Sequence, residues 1–196
     1  MTEEINIANK IIEDNFSRMK TARSYLQLMD DAKTLNEQNT NKKFIEAITP
    51  LHIDTLCCVC NYNITTIYKH LLLSGNAPDS IFFIKELSAT VYESLLAIEE
   101  YEPFMEEHFS TSIFEEYQIK KKELDLHKDT IRLIRNKSIY HISKDFRIYY
   151  DKMLTLFQIP IIEIWNNTID LIRYIQLHNK TIMKLYMNKY LNSIIS

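Results

Sequence analysis

The sequence predicts an all-α fold, an antiparallel up-and-down bundle of four to six helices. Three observations carry that expectation. Apolar residues recur at three- and four-residue steps over long stretches. They make up 46% of the 196 residues, enough for a real core. Glycine is almost missing: Gly75 is the only one, beside four prolines. Tight hairpins and phosphate-cradling loops both consume glycine, so this chain can build few of either.

Each helix has its own signal. Ile5 to Met29 reads as the first, with Ile7, Ile11, Ile12, Met19, Ala22, Leu26 and Met29 at helical steps. The polar stretch Thr34–Lys43 predicts a loop. Phe44 to Leu73 is apolar on most sides, which predicts a central helix, and Pro50 is a candidate kink. The run from Ser74 to Asp79 ends it, with Gly75 expected to take a left-handed cap and Pro78 to stop the helix. Ser80 to Tyr101 forms a third helix on the stripe Phe83, Leu87, Val91, Leu95 and Ile98, broken by Pro103. Thr111 or Ser112 caps the next, which runs through Leu124, Leu126, Ile131, Ile134 and Ile139 to about Ser143. Phe146–Gln158 is ambiguous. Pro160 opens a last amphipathic helix on Ile161, Ile164, Trp165, Thr168, Ile169, Ile172 and Ile175. Thr181–Ser196 extends it or forms one more. By organisation, residues 1–43 are an N-terminal helix and loop, 44–180 the bundle, and 181–196 a C-terminal helical extension.

Composition also narrows the function classes. The acidic, polar start lacks the features of a secretory leader, and no window approaches a membrane span, so a cytoplasmic protein with no membrane partner is expected. Cys57, Cys58 and Cys60 form an odd cluster in an apolar run and read as buried small hydrophobes. His52, His70, His108, His127 and His178 make no ligand spacing, so neither metal nor cofactor is expected. Charge is segregated. From Glu86 to Ile119 there are nine acids and no Lys or Arg; from Lys120 to Lys152 there are ten basic residues and five acids. The bland interpretation of both runs is a solvated helix face.

The basic segment holds the one stretch that points to chemistry, Ile134–His141, IRNKSIYH: Arg135-Asn136, four residues, then His141. With its apolar-basic lead-in and the acidic Asp145 after the histidine, this resembles the signature of the HEPN superfamily, in particular bacterial members tied to abortive infection. The resemblance is sharp over about Thr130–Asp145 and diffuse over Phe44–Ile175, where the last helix is similar to the one that follows the motif in such proteins.

It implies a metal-independent endoribonuclease acting in phage defence or as a toxin, with Arg135, Asn136 and His141 catalytic. RNA cleavage by its own 2′-hydroxyl needs a proton carrier near neutral pKa, which His141 supplies. It also needs fixed positive charge on the phosphate, which the Arg135 fork supplies. Asn136 holds the phosphate or orients the imidazole. Lys137, Arg132 and Arg147 are candidate RNA contacts, Lys137 because it lies one helical four-step from His141. On an ideal helix Arg135 and His141 stand about 120° apart and about 9 Å along the axis. The resemblance implies a homodimer that brings both copies into one cleft. It also implies RNA or nucleotide as ligand and an antitoxin protein as a partner. Ser143 stands where nucleotidyltransferase-partnered members carry a modified tyrosine, which argues against that mode of antitoxin control. Two alternatives stay open: a catalytically silent HEPN module that binds nucleotide or RNA, and a structural helical partner protein.

Overall fold

Long apolar stripes separated by short polar breaks fold into six helices among the residues described, with no strand beside them. The computed structural model describes residues 2–35, 41–133, 158 and 160–195. The helices are α1 (Thr2–Leu35), α2 (Asn41–Leu73), α3 (Ala77–Glu99), α4 (Glu102–His108), α5 (Thr111–Leu133) and α6 (Ile161–Ile195).

As its all-round apolar pattern predicts, α2 is central: it packs against α1, α3 and α6. Pro50 lies inside α2 without interrupting it. Its carbonyl accepts a 2.7 Å hydrogen bond from the buried Asn179 amide of α6, which ties this proline turn to the neighbouring helix. The first helix is peripheral. It buries a narrow seam, Ala8, Ile11, Asn15, Ala22 and Met29, and leaves Phe16, Tyr25 and Leu28 exposed.

Two turn expectations need correction. Gly75 does not adopt a positive φ, so no left-handed cap ends α2. Instead Asn76, extended at φ −148° and ψ 159°, caps α3 by accepting from the Asp79 amide at 2.9 Å. Its side-chain amide donates to the Asp79 carboxylate at 2.7 Å. Pro78 therefore sits in the first turn of α3, where its missing N–H costs nothing, and α3 starts at Ala77 rather than Ser80. Pro103 likewise opens a helix rather than only ending one: α4 holds to the core through Met105 and the following Phe109, both buried. Seven residues are too few to show a helical period in sequence.

In α5 the buried residues Tyr117, Leu124 and Ile131 recur every seven positions, a single stripe. Leu126 falls outside it and is 77% exposed. The helix starts one residue after Ser110, whose carbonyl accepts from the Phe114 amide, so the cap lies just before Thr111. The last helix runs without a break from Ile161 to Ile195, the extension rather than a separate helix. A large core joins α2 to α6 around Ile64, Leu87, Val91, Leu124 and Ile172. A smaller one gathers Ala22, Met29, Ala47 and Leu51, with Met183, Tyr186 and Met187 of α6 packed against it. The first helix and the C-terminal part of α6 are thus held by the same apolar patch. Among the described residues no helix is long and apolar enough to cross a membrane.

Candidate functional site

The Arg135–His141 motif begins two residues beyond Leu133, the end of α5. Arg135, Asn136, Lys137, His141 and Arg147 lie outside the described residues, as do Tyr149 and Tyr150. Arg132 is the one candidate contact within them. It is exposed on the last turn of α5 and meets Asp129 at 3.3 Å, one helical turn back. Both side chains are largely in water, 56% and 85% exposed, so the pair is weak and Arg132 is easily released to another anion. One residue before it, fully buried Ile131 docks this end of α5 into the large core.

The charge segregation along the sequence has a structural outcome. Lys121 of α5 bridges Glu102 of α4 at 2.7 Å and Glu99 of α3 at 3.3 Å. Lys128, two helical turns further on, also bonds Glu99. Tyr117 donates its hydroxyl to Glu102 at 2.7 Å from a fully buried ring. Glu99 and Glu102 of the acidic run therefore pair with Lys121 and Lys128 of the basic run at partly buried positions, while Glu93, Glu100, Glu106, Glu107, Glu115 and Glu116 are exposed. The four paired side chains are only 16% to 28% exposed. Burial works against the Glu99 charge, but Lys128 and Lys121 outweigh it and hold its carboxyl below the usual range. Burial also opposes the Lys121 charge, and Glu102 and Glu99 override it to raise its pKa. The Tyr117 phenol is pushed far up by burial and then by Glu102.

The cysteines are all buried and free. Burial raises the Cys58 thiol to about 11, so none is poised as a thiolate nucleophile at neutral pH. His70, His108 and His178 pack on aromatic rings: His70 on Phe83, His108 on Phe104 and Tyr186, His178 on Tyr174. Trp165 stacks on Tyr68 with centroids 4.1 Å apart. No group of three potential metal ligands occurs among the described residues.

One charged cleft was not anticipated from the sequence. It measures about 540 Å³ and lies between α1, α2 and α6, walled by Arg18, Asp54, Arg173 and Lys180 over apolar Ala22, Leu51 and Met183. Arg18 donates to the Asp54 carboxylate across α1 and α2. Burial holds the Asp54 carboxyl above its ordinary value even though Arg18 and Lys180 pull it down. The contributing residues come from three helices, Arg18 and Asp54 alone standing 36 positions apart, so no local pattern announces them. The only hint in the sequence is a carboxylate set in the apolar α2.

Neither a family model, nor a curated protein, nor a solved structure matches the chain.

Proposed function

We propose that this chain is a HEPN-type, metal-independent endoribonuclease that works as a homodimer in phage defence or as a toxin. The observation that carries the proposal is the Arg135-Asn136-x4-His141 pattern within a helical, nearly glycine-free chain. An all-α bundle with α5 docked at Ile131, just ahead of that pattern, agrees with the fold that the resemblance implies. In the proposed reaction His141 moves the proton of the 2′-hydroxyl and Arg135 balances the charge that builds on the scissile phosphate. Asn136 assists at the phosphate or the imidazole, and Lys137, Arg132 and Arg147 hold the flanking backbone. The exposed, weakly paired Arg132 is available for that contact.

Cleavage of a mixed RNA pool by the purified chain, with products ending in 2′,3′-cyclic phosphate and activity unchanged by chelator, is the expected result. Arg135→Ala and His141→Ala each lower the rate by at least about a hundredfold while far-UV circular dichroism stays the same, in line with the usual worth of such groups. Wild-type rates in both variants would remove the assignment. Salt-dependent RNA binding without product would leave a binding module in its place.

A further inference from the structure

The cleft between α1, α2 and α6 carries an imbalance of charge that its own side chains do not cancel. Arg18, Arg173 and Lys180 face one carboxylate, Asp54. Arg18 spends a single N–H on Asp54, and its remaining donors find no acceptor among the described residues. Arg173 and Lys180 are exposed, and neither makes a hydrogen bond or ion pair among those residues. After Asp54 is set against Arg18, two cations remain over one concave space. Asp54 also does positional work: a side chain 10% exposed anchors a guanidinium that is otherwise 42% exposed. An anchored arginine loses less freedom when it grips an anion. Below the charges lies an apolar floor of Leu51, Ala22 and Met183, with Tyr25 and Leu177 at the side. A volume of about 540 Å³ suits a small molecule.

We propose that this cleft binds a small phosphomonoester, its phosphate held by Arg18, Arg173 and Lys180 and its organic body laid on the apolar floor beside Tyr25. A phosphomonoester near neutral pH carries about two negative charges, matching the two unspent cations. Its oxygens also suit the planar fork of arginine. The site is separate from Arg132, since no residue of α5 lines it, and it does not rest on the ribonuclease reading. Arg173 also lines the adjoining cleft, which carries the carboxylates of Glu4 and Asp170.

Titration calorimetry of the full chain with phenyl phosphate tests the proposal. Saturable one-to-one binding is expected. The Arg173→Gln, Lys180→Gln double variant weakens it by at least about tenfold with an unchanged melting temperature, the loss expected for two charge-assisted contacts. Lys180→Arg keeps the charge and retains binding. Inorganic phosphate binds more weakly than the ester, because it leaves the apolar floor uncovered. His141→Ala leaves the titration unchanged, which separates this site from the proposed nuclease centre. Absence of saturable binding, equal affinity in the double variant, or equal affinity for inorganic phosphate would each overturn it.

Discussion

Gly75 illustrates how a residue type misleads when the turn around it is decided elsewhere. A lone glycine after a long apolar helix suggests a left-handed cap, yet its φ is not positive. The work is done by Asn76, whose side chain satisfies the Asp79 amide and so starts α3 early. Nothing lies within 4 Å of a Cβ built at Gly75. Gly75→Ala is therefore expected to be neutral or to stabilise by up to about 1 kcal/mol, because it restricts only the unfolded chain. A thermal melt decides the matter, and a clear loss of stability would mean that the turn needs glycine's freedom after all. Asn76→Ala should instead cost about 1 kcal/mol, since it strips the cap. The cysteines were legible at this scale, because three small apolar side chains in an apolar run have few other uses, and all three are buried. Asp54 was not. Its partners Arg18 and Lys180 belong to other helices, and only the packed molecule brings them together.

At the scale of elements, the ion-pair cluster between α3, α4 and α5 modifies what sequence alone suggests. Nine acids followed by a basic segment suggest solvated helix faces. The structure departs from that for Glu99, Glu102, Lys121 and Lys128, because α5 returns alongside α3 and their charges meet at partly buried positions. Glu99 has a folded pKa below its unfolded value. Its contribution to stability is therefore fully present above the unfolded carboxyl value, about 4.3. That contribution is lost as pH falls through the lowered folded value. Glu99→Gln is expected to reduce stability at neutral pH by about 1 kcal/mol and to flatten the fall of the urea midpoint on acidification. Parallel acid profiles for variant and wild type would show that Glu99 is not coupled to its lysines. The short α4 belongs to this scale too: Pro103 punctuates the sequence in the same way whether it ends a helix or begins one, and the burial of Met105 and Phe109 makes the difference.

For the whole molecule, the proposed nuclease chemistry carries a prediction about assembly. On an ideal helix a spacing of six would set Arg135 and His141 about 120° apart, and the HEPN resemblance implies that two copies complete a common cleft. Sedimentation equilibrium at micromolar concentration should give twice the mass of one chain, and a strict monomer that still cleaves RNA would refute the shared cleft. The sequence by itself determined the all-helical class, the centrality of α2, the burial of the cysteines and the stripes of α3 and α6, because helical periodicity is a local property and glycine scarcity forbids the main alternatives. Only the tertiary structure decided which charges cancel and which are left over. It set Lys121 and Lys128 against Glu99, and it left Arg173 and Lys180 with no hydrogen bond or ion pair among the described residues at the cleft beside Arg18. Coulombic partnership depends on distance and burial across helices far apart in the chain, and neither is written in the order of residues.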